Sequence, residues 1–330
     1  MKVNMAQIGE AAGVSSATVS NALNHRPGVN PETAAHVFHV ARELGYFSDR
    51  PLSAIRLIHL EQGYFDVREE PFFAALLQGI ESECRAQEVD ALFSAVPASE
   101  ESLPDKLCSD PRCGIILLAT ESSDEEIARF DGVRAPVLLL DNCPRNPAHS
   151  AVLIDNEGGV FQAIEHLTAH GHRRIGYLRC AARFRNFAAR EAAYRQAMAE
   201  AGLTVNPDDV VTLTLPPDHA RETMRGYLSG AASLPTAFFA DNDALAFPAM
   251  QAMADCGIRV PEDVSIVGFD NILYARLSAP PLTTVHVDKQ ELGRLAVRIL
   301  LEQSRCRSSA PTKTQICTRL VQRESVRHIT

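Results

Sequence analysis

The spacing of apolar residues changes near residue 50, and that change divides the chain. Up to it the spacing is helical. Ala6, Ile8 and Ala12 give a first helix its inward face, Gly13 supplies a turn that a residue with a Cβ resists, and Val14 plugs the corner. Ser15 suits the N-cap of a second helix, in which Val19, Ala22 and Leu23 recur at i, i+3, i+4. The opposite face carries Ser16, Ala17, Ser20, Asn21 and Asn24, side chains small enough for a groove wall to approach the backbone. Asn30-Pro31 opens a third helix with Val37, Val40, Ala41 and Leu44 inside, and Gly45 ends it. Three helices with a glycine turn form the helix-turn-helix plan, whose second helix enters the DNA major groove. On pattern alone, the same plan fits a small helical cap without a ligand.

From Ile55 the apolar residues gather into short continuous runs: IRLIHL, GIILLA, PVLLLD, RIGYLRC, TAFFAD and VSIVGFD. Helical patterns such as 72–84 and 157–170 lie between them. Apolar strands alternating with helices predict parallel sheets buried on both faces, here two doubly wound units. In such sheets a ligand binds beyond the carboxyl ends of the strands. There the sequence places Phe72 and Phe73, then Asp141, then Asn242 and Asp243, then Asp270. Each alone suits a loop or helix cap. Their recurrence at strand ends makes them candidates for a shared site.

Composition narrows the function. The chain has 330 residues, 46% hydrophobic and 22% charged, as an ordinary globular protein of two or three domains does. No apolar stretch reaches the ~18 residues of a membrane span and no leader pattern opens the chain, so a cytoplasmic protein without a membrane partner is expected. The net charge of −9 argues against indiscriminate nucleic-acid binding. Eight scattered cysteines form no Cys-x-x-Cys pair, so reduced thiols and no metal site are expected. There is no glycine-rich phosphate loop, no carboxylate pair at catalytic spacing and no nucleophile elbow; neither a cofactor nor an enzyme is expected. His166, His170 and His172 with Arg173 and Arg174 read as the end of a helix, and Arg179, Arg183, Arg185, Arg190 and Arg195 as surface and pocket rim.

Residues 5–46 resemble the headpiece of the lactose-repressor (LacI/GalR) family: AGVSSATVSNALN, RPGVNPET and ARELGY are that family's motifs almost letter for letter. The resemblance implies that Ser16, Ala17 and Asn21 read bases, while Asn4, Ser15, Thr18, Ser20 and Asn24 hold phosphates. It runs on to Val326 through EHLTAHGHRRIGYL, AFFADNDALA, GIRVPEDVSIVGFDN, PPLTTV and LVQRESV, which look like the family's effector domain. The implied fold class is α/β: a helix-turn-helix headpiece plus a double Rossmann-like domain of the periplasmic-binding-protein type. The implied domains are 1–47, a linker at 48–54, and 55–330. The last divides into 55–154 plus 287–317 and 155–286 plus 318–330, with crossings near Asp155, His286 and Arg319. Effector contacts are implied at Phe72, Phe73, Asp141, Phe184, Asn186, Arg190, Phe239, Asn242 and Asp270.

The sequence departs from the family in four places. The first fifty residues balance in charge, where a basic headpiece is usual. The linker FSDRPLSA is about half the family's length, so a normal hinge helix is not expected; Leu52 or Ile55 remains to wedge the minor groove. Ala193 replaces the glycine of the family's RxxGY motif. Lys289 stands where related pockets carry an apolar or aromatic residue, which admits an acidic ligand.

The expectation is a homodimeric regulator, a repressor of carbohydrate use, that binds a near-palindromic operator and answers to a sugar or sugar derivative. The short linker and neutral headpiece leave a second class open. That class is a cytosolic binding module, or an enzyme on the same fold, whose headpiece no longer binds DNA specifically.

Overall fold

The computed structural model describes residues 3–23, 26, 28–44, 46, 52–63, 70–100, 112–133, 135–145, 147–305 and 310–329. The headpiece is α1 (Met5–Ala12), α2 (Ser16–Leu23) and α3 (Pro31–Glu43). Asn4 caps α1, its Oδ1 accepting from the main-chain N–H groups of Ala6 and Gln7 while Gln7 Oε1 accepts from Asn4 N–H. Gly13 turns the chain at φ +66°, and Ser15 Oγ caps α2 by accepting from Thr18 N–H at 3.0 Å. Ile8, Ala12, Val19, Ala22, Leu23, Val37, Val40 and Ala41 close the core. Two expected core positions differ. Ala6 is exposed, because it lies two residues before Ile8 and so about 200° round the helix. Leu44 is 39% exposed, one residue beyond the end of α3.

The other described residues form two six-stranded sheets with their helices. In the first, β1 (Ala54–Glu61), β2 (Asp90–Pro97), β3 (Cys113–Leu118), β4 (Val137–Leu140), β5 (Ser150–Ile154) and β11 (Lys313–Ile316) run parallel in the order β11-β5-β4-β3-β1-β2. In the second, β6 (Ile175–Cys180), β7 (Val210–Leu213), β8 (Ala237–Ala240), β9 (Ser265–Asp270), β10 (Thr283–His286) and β12 (Arg319–Val321) lie in the order β7-β6-β8-β9-β10-β12, only β12 antiparallel. The chain passes between the sheets at Asp155, between His286 and Lys289, and between Ile316 and Arg319. The six apolar runs read from the sequence all form strands. β2, β5, β7, β10, β11 and β12 were not among them. β2 is an exposed edge, β11 is short and polar, and β12 has only three residues.

Helices cover both faces. They are α4 (Pro71–Ala86), α5 (Asp124–Ala128), α6 (Asn156–Ala169), α7 (Arg185–Glu200), α8 (Pro217–Gly230), α9 (Asp243–Asp255) and α10 (Lys289–Arg305). α4 and α10 touch backbone to backbone; a Cβ on Gly79 would collide with the main chain of Gln290, and one on Gly293 would meet Leu76 O at 2.5 Å.

The expected linker lies mostly outside the described residues, and Asn24 and Gly45 do too. Leu52, however, is 6% exposed and packs in the core beside Gly114, and Ile55 is a buried residue of β1. The reading of either as a minor-groove wedge is therefore corrected: both side chains already fill the first sheet's core. No helix among the described residues is long and apolar enough to cross a membrane.

Candidate functional site

The carboxyl ends of both sheets face one cavity, with about 690 Å³ of space between atoms when the open solvent at its mouth is included. Phe72, Phe73 and Asp141 line it from the first sheet's side, and Phe184, Asn186, Arg190, Asn242 and Asp270 from the second's. The backbone is strained where it meets the cavity. Asp141 has φ +68° and Asp270 φ +99°, regions that residues with a Cβ rarely occupy and that cost about 1–3 kcal/mol each. Both conformations fall at carboxyl ends of strands, Asp141 one residue past β4 and Asp270 at the last residue of β9.

Asp141 is 2% exposed. Thr120 Oγ1 donates to its Oδ2 at 2.8 Å, and its Oδ1 accepts no hydrogen bond among the described residues. Burial pushes this carboxyl up to about 6, against Thr120, Asn186 and Arg190, which pull it down. Arg190 lies 3.7 Å from the ring centroid of Phe269, and its guanidinium donates to Asn156 Oδ1, Asp241 O and Asp270 Oδ1 at 2.8, 2.6 and 3.3 Å. Asn242 caps α9, accepting from Leu245 N–H at 3.1 Å, so its cap role and its place on the cavity wall coincide. Below the wall, Asp241 accepts from Tyr177 Oη and from Arg183 Nη1 at 3.1 Å, and burial pushes its carboxyl up to about 6. The remaining arginines of the basic run are also paired, Arg179 and Arg195 with Glu191 and Arg185 with Asp124.

In the headpiece, Ser16 and Ala17 are exposed on α2, with Asn21 and Ser20 half-buried beside them. Ser15 and Thr18 bond each other at 2.9 Å, and Asn4 is exposed at the start of α1. Asn24 lies outside the described residues.

Residues 4–49 match the family described as bacterial regulatory proteins, lacI family, and 164–326 match the periplasmic binding protein-like domain. The HTH-type transcriptional repressor PurR of Pasteurella multocida is 31% identical over 97% of both chains, and that of Haemophilus influenzae 30% over 98% of both. The chain belongs to the LacI family. Its fold is also that of the transcriptional regulator CelR solved as a cellobiose complex, at TM-score 0.75 and 27% identity over 98% of this chain and 100% of that one. The lac repressor dimer solved on operator with the anti-inducer ONPF matches at TM-score 0.73 and 22% identity over 99% of this chain and 100% of that one. As a LacI-family protein the chain is a transcriptional repressor and not an enzyme.

Two expectations about this LacI-family pocket are corrected. Phe239 does not line the cavity. It sits inside β8, wholly buried, with its ring stacked on Tyr177 at 5.8 Å, because strand alternation sends it to the sheet's face and leaves Asn242 to reach the cavity. Lys289 offers nothing to an acidic ligand: its Nζ donates to the main-chain oxygens of Asp270, Asn271 and Val287, which use all three of its protons. Glu70, Thr120, Ile154, Phe187, Leu215, Ala244 and Ile272 also line the cavity and were missed. Thr120, two residues past β3, and Phe187, beside Asn186, carried a positional signal. The others are ordinary loop and core residues in sequence.

Proposed function

We propose that this LacI-family repressor is a homodimer that binds a near-palindromic operator and is switched by an uncharged, hydroxyl-rich effector, a sugar or sugar derivative, held in the cleft. The observation that carries the effector class is the pairing of buried acceptors with aromatic walls. Asp141 and Asp270 accept from hydroxyls, Asn242 both donates and accepts, and Phe72 and Phe184 cover the apolar face of a ring. Among the described residues, Lys289 is occupied by main-chain oxygens and Arg190 is bonded to Asp270, so neither is spare for a carboxylate or phosphate. The cellobiose complex of CelR supports a carbohydrate reading.

On the DNA, Ser16, Ala17 and Asn21 read base edges, and Asn4, Ser15, Thr18, Ser20 and Asn24 hold phosphates. Two exposed apolar patches support the dimer. One is Leu273, Tyr274 and Leu277, exposed by 52%, 54% and 66%, beside Phe247 and Met250; the other is Leu92 and Phe93 on β2. Operator binding places the protein in the cytoplasm. The test is a thermal-shift screen of purified protein against sugars, polyols, sugar acids and purines. A ligand at ~100 times its dissociation constant adds about 2.7 kcal/mol. Neutral sugars or polyols are expected to raise the melting temperature; a response to sugar acids or purines alone would overturn the effector class.

A further inference from the structure

Asn156 is the first residue of α6, one place past the crossing at Asp155, and is 8% exposed. The crossing around it is fixed to the other return of the chain, because Asp155 N–H donates to Ile316 O and Thr318 Oγ1 donates to Asp155 O, both at 3.0 Å. Its side-chain amide is used at both ends. Oδ1 accepts from Arg190 Nε at 2.8 Å, and Nδ2 donates to Asn186 Oδ1 at 2.9 Å. Asn186 Nδ2 in turn donates to Asp141 O at 3.2 Å, on the far side of the cleft.

The direction of the chain is unambiguous. Arginine can only donate, so Oδ1 of Asn156 must face it; Nδ2 must then face an acceptor, which sets Asn186, and Asn186 must offer its own donor to Asp141. Asp270 and Asp141, one from each sheet, are therefore joined through Arg190, Asn156 and Asn186, with the Asn156 amide at the crossing as the middle link.

We propose that Asn156 is a positioning residue that ties closure of the cleft to the crossing segment, holding both lips without itself lining the cavity. The proposal rests on the effector-binding reading. Closure brings Asp141 O to Asn186, and Asn156 fixes where Asn186 and Arg190 stand when it does. A group with one donor end and one acceptor end is required, and few side chains of this size have both.

The test is hydrogen exchange of the full-length protein without ligand, comparing wild type with Asn156→Leu and Asn156→Asp. Loss of a hydrogen bond is expected to speed exchange about two- to tenfold. In Asn156→Leu this falls on both lips, at 141–143 and 185–187 and at 241–243 and 269–271, while amides at 160–168 in α6 keep their wild-type rates. Asn156→Asp keeps an acceptor for Arg190 and loses the donor to Asn186, so only 141–143 and 185–187 quicken. Should Asn156→Leu fail to fold, that split pattern in Asn156→Asp carries the test. Unchanged lips, or loosening confined to α6, overturns the proposal. The experiment uses no ligand, so its failure is separate from failure of the effector reading, which the thermal-shift screen decides.

Discussion

Replacing Arg190 by methionine isolates what its guanidinium contributes. Methionine keeps the apolar stem but supplies no donor and no guanidinium over the Phe269 ring. Asn156 Oδ1, Asp241 O and the Asp270 carboxylate, which now accept at 2.8, 2.6 and 3.3 Å, would be left without that partner. A buried acceptor stripped of its donor costs about 1–3 kcal/mol, and breaking a buried ion pair from one side costs about 3–5 kcal/mol. These costs overlap, because Asn156 can turn and the Asp270 side chain, 11% exposed, recruits water. The expected loss is about 3–5 kcal/mol of unfolding free energy. Lysine keeps the charge but not the fork, and about half of that loss is expected for Arg190→Lys. Urea unfolding followed by circular dichroism measures both. A loss for Arg190→Met under about 1 kcal/mol would show that water already solvates this pair, and would refute the picture of a dry, closed network.

The other expectations concern separate parts of the molecule. Asn21→Ala should weaken binding to the preferred duplex by about 1–3 kcal/mol and relax the choice of base, while effector binding is unchanged; equal weakening on every sequence, seen by fluorescence anisotropy, would exclude base reading. Gly79→Ala forces α4 away from α10 and should destabilise by about 1–3 kcal/mol in urea; an unaltered midpoint would contradict the backbone contact between them. Burial pushes His172 down from 6.5 to about 4, with Nε2 donating to Arg327 O and Nδ1 2.9 Å from Thr236 Oγ1. Its share of stability is present above pH 6.5 and is lost as the pH falls towards 4, since in that window only the unfolded chain takes the proton. His172→Gln should remove about 1.4 kcal/mol per pH unit of that slope, and equal slopes in the two proteins would rule the assignment out. Leu277→Lys, on the larger exposed patch, should yield monomers in sedimentation; an intact dimer would place the interface elsewhere.

Much of the site could be read in the chain because parallel strands announce themselves as apolar runs, and the residue after each run lies beyond a carboxyl end. Asp141 and Asp270 were found that way. Phe239 was misplaced because Asn242, three residues on in the same motif, lines the cavity while the Phe239 ring packs on the sheet's face against Tyr177. Lys289 looked available because nothing in sequence shows three carbonyls converging on one ammonium. Leu52 looked like part of a linker, yet Gly114 on the adjacent strand leaves room that only a side chain from outside the strand can fill. Asn156 gave no signal at all, since its partners lie 30 and 34 residues away and meet it only when the sheets face each other.

The central claim is a dimeric reader of a two-fold site, and selection from a random-sequence duplex library by the purified protein tests it directly. The account predicts enrichment of two inverted half-sites at a fixed spacing, with Asn21→Ala losing a base preference in each half. Recovery of an unrelated pool with no dyad would contradict it and leave a headpiece that no longer reads sequence.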